Sequence, residues 1–396
     1  MLTENINKIS EIIFSLINYL KTNKDELFLL NYQITNDNSL SIEEDYNSII
    51  DYLNNYINNN KRIIKEDNLK PKGKILIMLS YNEPFILSII PVLNAIIAGN
   101  YVIIKPSQLG KEFVKNIWLC SGIIKKYNLK ISFSEFSDIK LARNLIKQVS
   151  AVYFFGSYKV AKKIAKVCRE YFIEFYPEVE TADCKIYNTK LSNIINIEKD
   201  VELTIKESFS HQGQICQRIQ GIYVNKNNYN EYLRLLKKKF LFLCGSEELN
   251  KYINKNHRFN HKLLKYLKDD VRASSPKEII SAKGALPILV VNPEIDSSFI
   301  NNAYFLPVLW ISPFKTERQL IKLLNLRKFF LGINIHSDNN NFINNIIKNT
   351  KFTRYTINSS HIKVRDFEGW GGSWPSGYSG NKNWIRHFSN PYVIIR

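Results

Sequence analysis

Cysteine and glycine are both scarce: five and fifteen in 396 residues. The cysteine count is odd and no pair is spaced as CxxC. A disulfide framework is therefore excluded, and with no secretory apolar stretch at the start the expected location is a reducing cytoplasm. So little glycine, with twelve prolines, also excludes collagen-like and low-complexity classes. No G-x-G-x-x-G, G-x-S-x-G or P-loop occurs, which removes the simplest signatures of dinucleotide sites, serine hydrolases and nucleoside triphosphatases. The six histidines lack metal-ligand spacing: His257 and His261 stand four apart without the glutamate of a zinc motif, so no metal is expected.

Acidic residues are few as well, 36 against 55 Lys and Arg, for a net charge of +19. Alone, that excess suggests an anionic partner. The basic residues are spread along the chain, however, in only short clusters such as Lys237-Lys238-Lys239. The composition is also crowded with Ile, Asn, Lys, Phe and Tyr, so drift accounts for the charge and no nucleic-acid partner is expected. One apolar run, 85–104, has about the length of a membrane span. It is interrupted by Pro91, Asn94, Gly99 and Asn100, and reads as a buried helix, a turn and a β-branched strand. No membrane partner is expected.

What the chain does contain is alternation. Apolar residues at helical spacing from Ile9 to Leu20 predict an amphipathic N-terminal helix, and 43–59 a second, polar one. Then come strand 74–79, helix 84–97, strand 101–104, helix 111–127, strand 151–155 and helix 158–171. After residue 180 the pattern resumes with helix 201–210, strand 221–224, basic helix 229–240, strands 287–291 and 308–311, helix 317–325, strand 332–336 and a polar turn and helix over 338–349. A glycine-rich loop (369–380) and a terminal strand (391–396) close the chain. The expected fold is α/β: two doubly wound units, a Rossmann-like one over 1–180 and a second over 181–368, with a C-terminal arm over 369–396.

A few positions invite chemistry, and each also has an ordinary structural explanation. Cys216, in HQGQIC (211–216), sits between a predicted helix and a strand, where a thiol can be exposed and activated; a buried structural thiol is the plainer reading. The other four cysteines lie in apolar contexts that suit burial. Glu178 follows a helix and a proline and is either a general base or a solvated carboxylate. Lys105 and Ser107 follow strand 101–104, at a carboxyl edge where α/β sheets bind ligands. Gly156 and Ser157 follow strand 151–155 and open a helix whose N-terminus favours an anion. Asn82 follows strand 74–79 and is either an oxyanion donor or a helix cap before Pro84.

Taken in order, these pieces resemble the aldehyde dehydrogenase superfamily. YNEPF (81–85) and AGNYVIIKPSQ (98–108) look like its asparagine loop and "GN…KPSE" strand end. VYFFGSYKVA (152–161) is similar to its "FTGS..VG" segment, and PEVETADCKIY (177–187) stands where "ELGGK" belongs. SHQGQICQRIQGIYV (210–224) is similar to the nucleophile segment, LPVLWISPF (306–314) to "GPVL.V..F", and 369–380 to the glycine-rich C-terminal motif. The chain departs from the pattern at Gln108 for the Glu of "KPSE", at Glu180 and Thr181 for the glycines of "ELGGK", at Ala161, and at Ala303, which aligns with the family's ribose-binding carboxylate.

The resemblance implies NAD or NADP as cofactor and oxidation of an aldehyde to an acid through a Cys216 thiohemiacetal and thioester. Asn82 would steady the oxyanion and Glu178 activate water. Lys105, Ser107, Gln108, Gly156, Ser157 and Phe305 would contact the cofactor. Neutral Gln108 would admit NADP at least as well as NAD. Two alternatives stand beside this: reduction of an acyl-CoA thioester to an aldehyde, and a non-catalytic relative. The family's C-terminal arm also implies a homodimer held through residues 391–396.

Overall fold

The computed structural model describes residues 6–64, 69–135, 139–189, 194–253, 261–282, 285–362, 370–377 and 383–393. The chain forms two compact units. One runs to Val179 and takes in the chain's end; the other runs from Glu180 to Val364 and includes Gly371–Gly377.

The first unit opens with helices Ile6–Thr22, Lys24–Thr35 and Ser39–Ile64. The middle one escapes the sequence pattern because its buried side includes Asn31 and Thr35 beside Leu27. Five parallel strands follow a short β1 (Leu69–Pro71): β2 (Lys74–Met78), β3 (Tyr101–Lys105), β4 (Ile131–Phe133), β5 (Ala151–Gly156) and β6 (Glu174–Val179). Their order is β4-β3-β2-β5-β6. Ile75, Leu76, Ile77 and Met78 are all buried, as expected for a strand covered on both faces. The apolar run after it is the helix Pro84–Ile97, buried throughout. Its Asn94 is satisfied by Tyr56 (2.8 Å) and Tyr52 (2.6 Å), which is how a polar residue is accommodated in so apolar a helix. No helix among the described residues is long and apolar enough to cross a membrane.

One expectation for this unit needs correction, and one strand is added. The single helix over 111–127 is three pieces, Lys111–Lys115, a π-turn Asn116–Cys120 and Ile123–Tyr127. Asn116 turns inward to Tyr19 (2.7 Å) and Glu26 (2.9 Å), and Gly122 breaks the helix with φ +68°. The segment carrying Glu178, to which the sequence pattern assigns no element, is the strand β6. Pro177 is tolerated there because β6 is an edge strand, with a ladder on one side only.

The second unit is a seven-stranded sheet of β7 (Asp183–Asn188), β8 (Ile219–Asn225), β9 (Glu278–Ala282), β10 (Ala285–Val291), β11 (Val308–Phe314), β12 (Gly332–Ser337) and β13 (Arg354–Ile357). The order is β13-β12-β7-β8-β11-β10-β9, parallel except for β9. Helices cover both faces. Residues of 194–209 and 226–245 pack with Ile222, Val224, Leu309 and Ile311 on one side. Residues of 261–273, 317–325 and 340–349 pack with Tyr223, Val308 and Trp310 on the other. This is the doubly wound α/β arrangement expected of each half.

The chain closes in the first unit with β14 (Ser389–Pro391), paired antiparallel with β1. Of the expected terminal strand over 391–396, Pro391 is in strand geometry, paired within the same chain, and Tyr392 and Val393 carry none. Residues 394–396 lie outside the described residues, as do 369 and 378–380 of the glycine-rich loop and His257.

Gly221 on β8 is dictated by its neighbour. A Cβ there would lie 1.8 Å from the ring of Trp310, which is fully buried on β11. Overpacking at such a site costs about 3 kcal/mol, the upper part of the usual range. Gly221→Ala is expected to lower unfolding free energy by about that amount in urea titration; unchanged stability would contradict the packing described.

Candidate active site

Cys216 stands at the amino edge of the second unit's sheet, in the link between helix Ile194–Phe209 and β8. The link begins with a tight turn, Ser210–Gly213, in which three consecutive residues are left-handed: His211 (φ 52°), Gln212 (φ 57°) and Gly213 (φ 73°). Non-glycine residues adopt this conformation only where the surroundings impose it, and such strain gathers at functional sites. Here the imposing feature is visible. A Cβ on Gly213 would fall 2.6 Å from the Leu306 carbonyl oxygen and 2.9 Å from Pro307 N, so the turn is wedged against the 306–307 backbone. Cys216 is left partly exposed, and the Thr181 hydroxyl donates to its carbonyl.

The residues after Cys216 fasten the same segment from below. Buried Arg218 donates to the carbonyls of Val308 (3.0 Å) and Tyr304 and to Gln220 Oε1 (2.8 Å). Gln220 in turn donates to the Asn302 carbonyl (2.8 Å) and accepts the Tyr304 N–H (3.0 Å). The thiol-bearing loop and the loop carrying Ala303 and half-buried Phe305 are therefore one bonded piece. Sequence reasoning missed Thr181, Arg218 and Gln220 as supports. The one available signal was their polarity inside otherwise apolar, strand-like runs.

The other thiols differ from Cys216 in surroundings. Burial pushes Cys168 up to about 12 and Cys184 up to about 11, and raises Cys244 as well. Each is thereby held as a poorly nucleophilic thiol. Cys120, expected to be buried, is exposed at the end of the π-turn, and Cys244 is only partly buried.

The remaining sequence-derived positions other than Phe305 lie along the carboxyl edge of the first unit's sheet. The chain leaves β2 toward β3 and β4 and later returns to β5 and β6 on the other side, so β2 and β5 flank a topological switch point, the usual ligand crevice. Asn82 follows β2. It accepts from Ser80 and donates to Glu83 Oε2 (3.3 Å). Glu83, not Asn82, occupies the cap position of helix Pro84–Ile97, and no side chain caps it, so the helix-cap explanation of Asn82 fails. Lys105 ends β3, half-buried, and burial lowers its pKa. Ser107 accepts the Gly110 N–H (3.0 Å) and shapes the loop; Gln108 is exposed. Gly156 ends β5, and Ser157 caps helix Tyr158–Glu170 by accepting the Val160 N–H (3.4 Å). Glu178 is buried, not solvated, and stands beside Phe155 in the β5–β6 register.

Comparison with known proteins agrees with this fold. The family model described as the aldehyde dehydrogenase family matches residues 3–394. The dimeric NADP-preferring aldehyde dehydrogenase of Canis lupus familiaris is 24% identical over 331 residues, covering 79% of this chain and 70% of that protein. The lactaldehyde dehydrogenase of Escherichia coli (strain K12) is 24% identical over 343 residues, covering 81% and 69%. Among solved structures, aldehyde dehydrogenase 21 from Physcomitrella patens, in complex with succinate, superposes with a TM-score of 0.83 at 16% identity, covering 98% of this chain and 85% of that one. An NAD-dependent aldehyde dehydrogenase from Sinorhizobium meliloti gives 0.78 at 18%, covering 96% and 80%.

The thiol environments predict an order of alkylation. At pH 8 a thiol with a pKa near 11 is ionised to about one part in a thousand. Brief treatment of the native protein with iodoacetamide, read by peptide mass spectrometry, is expected to label Cys216 while sparing Cys168 and Cys184. Labelling of either buried thiol ahead of Cys216 would contradict the assignment.

Proposed function

The chain belongs to the aldehyde dehydrogenase family, and from that premise we propose that it oxidises an aldehyde to the carboxylic acid through Cys216, with NAD or NADP as the hydride acceptor. The observation that carries this reading is the left-handed turn of residues 211–213, which is wedged against the Leu306-Pro307 backbone and leads into a partly exposed thiol.

The carboxyl edge of the first unit fits a dinucleotide by its donor set. Lys105 supplies a cation, exposed Gln108 an amide, and the helix capped by Ser157 an N-terminus for phosphate oxygens. When bound, the nicotinamide supplies the hydride acceptor; Phe305 is assigned to pack against it. The chain's own residues do the rest. The Cys216 thiolate adds to the aldehyde carbon, forming a C–S bond and an alkoxide, which the Cys216 N–H and the Asn82 amide stabilise. Loss of hydride leaves a thioester on Cys216. Glu178, a buried carboxylate, takes a proton from water, whose oxygen attacks the thioester carbon. The C–S bond breaks, releasing the acid and restoring the thiolate.

The relatives compared above are named for aldehydes, which favours oxidation over thioester reduction and over a non-catalytic role. Neutral Gln108 puts no negative charge against a 2′-phosphate, so NADP is accepted at least as well as NAD. The canine relative is named as dimeric, and Val393, 84% exposed just past β14, suits a second copy; a homodimer is part of this proposal.

Cys216→Ala is expected to abolish aldehyde-dependent formation of reduced nicotinamide while cofactor binding by calorimetry is retained. Turnover surviving that change would sink the assignment. Asn82→Ala is expected to lower kcat ~10²-fold, the scale of one lost oxyanion donor. An unchanged kcat with a lower Tm would make Asn82 structural only.

A further inference from the structure

The second unit has another crevice, on the edge of its sheet away from Cys216. β8 and β11 are parallel neighbours, in register from Trp310 opposite Gly221 to Phe314 opposite Asn225. From β8 the chain enters helix Lys226–Gly245, which packs on one face of the sheet with Ile222 and Leu309. From β11 it enters helix Glu317–Asn325, which packs on the opposite face with Tyr223 and Trp310. Adjacent strands whose helices depart to opposite faces leave an opening at their carboxyl ends, the place where open α/β sheets receive ligands. Here the opening is a cavity of about 430 Å³, lined by Lys226, Tyr229, Asn292, Ser312, Lys315 and Gln319 among others. That volume lies within the range of small-molecule sites.

The lining has one sign. Lys226 and Lys315 are exposed and have no ion-pair partner among the described residues. Both helices begin at the cavity. Asn225 and Thr316 each satisfy one first-turn N–H, of Asn227 (3.0 Å) and Gln319 (3.2 Å), and helix geometry leaves other first-turn N–H groups without an intrahelical acceptor. The positive ends of two helix dipoles thus add to two ammonium groups. Glu294 and Glu317 adjoin the lining in sequence without lining the cavity, and the Glu317 carboxylate accepts the Asn345 amide. Independently of all this, the Ser312 hydroxyl, buried at 1% exposure in the cavity wall, has no hydrogen-bond partner. Buried hydroxyls are ordinarily satisfied, so this one points to a polar atom supplied from outside the chain.

We propose that this cavity binds a small phosphorylated compound, with its phosphate held by Lys226, Lys315 and the two helix N-termini and an oxygen of the ligand bonded to Ser312. Phosphate is favoured over carboxylate because two cations and two dipole ends exceed one negative charge, and phosphate carries nearly two near neutral pH with three acceptor oxygens. Cys216 precedes β8 and Lys226 follows it. A seven-residue strand places them roughly 20 Å apart, so the ligand does not reach the thiol. The site therefore binds without turnover and is independent of the redox reading.

Calorimetric titration with inorganic phosphate, at constant ionic strength and with NADP saturating so that the cofactor's own phosphate positions are filled, tests this. Saturable binding is expected, weakened at least tenfold in Lys226→Ala/Lys315→Ala and several-fold in Ser312→Ala, which alters no charge, with the wild-type Tm kept in the absence of phosphate. Absence of saturable binding, equal affinity in both variants, or binding that vanishes when NADP is present would overturn the proposal.

Discussion

The second unit turns on one steric fact: the backbone of Gly213 and the backbone of Leu306-Pro307 touch with no room for a side chain between them. That contact forces three successive residues into left-handed conformations and sets where Cys216 leaves the turn. Arg218 and Gln220 then bind the touching segment through its carbonyls, so the position of the thiol and that of Phe305 are set together. A buried guanidinium carries a large desolvation cost, and burial depresses the Arg218 pKa to about 9. Three hydrogen bonds to oxygen acceptors hold it there, and removing it would strand buried carbonyls. The loop's geometry thus rests on a polar core beneath it rather than on the loop's own sequence.

The two sheets use their edges differently. In the first unit the positions with chemical promise collect at the carboxyl ends of parallel strands, flanking the β2–β5 switch point, as general α/β topology leads one to expect. In the second unit the thiol lies at the amino edge, and the carboxyl edge is left to the cavity between helices 226–245 and 317–325. A doubly wound sheet has two ends, and here both carry polar chemistry.

Much of this was legible in the residues, and the misses have physical causes. Strands β2, β3, β5, β8, β10, β11 and β12 announced themselves as apolar runs because both faces are covered. β7 did not, since Asp183 and Lys185 interrupt it. Both are fully buried: Lys185 is bonded to Asp200 (3.1 Å), Thr204 (2.8 Å) and Glu207 (3.2 Å), and Asp183 to His361 (2.9 Å). Charges satisfied by residues distant in sequence look like surface until the fold is known. β6 hid behind Pro177, whose tolerance at a sheet edge is a property of strand order. For the site, Cys216 and Asn82 could be singled out from local context. The helix cap at Ser157 and the loop bond of Ser107 are local facts that propensity does not distinguish from ligand binding. Arg218 and Thr181 act across long sequence separations, so their polarity could mark them without saying what they support.

The central claim is that Cys216 carries the acyl group. It is tested most directly by mixing Glu178→Gln protein with an aldehyde and NADP and identifying the modified peptide by mass spectrometry after rapid acid quench. Loss of the base that activates water should let the thioester accumulate, with the acyl mass on the peptide containing Cys216. Reduced nicotinamide formed with no acyl mass on that peptide, or the mass found on Cys120, would contradict the account.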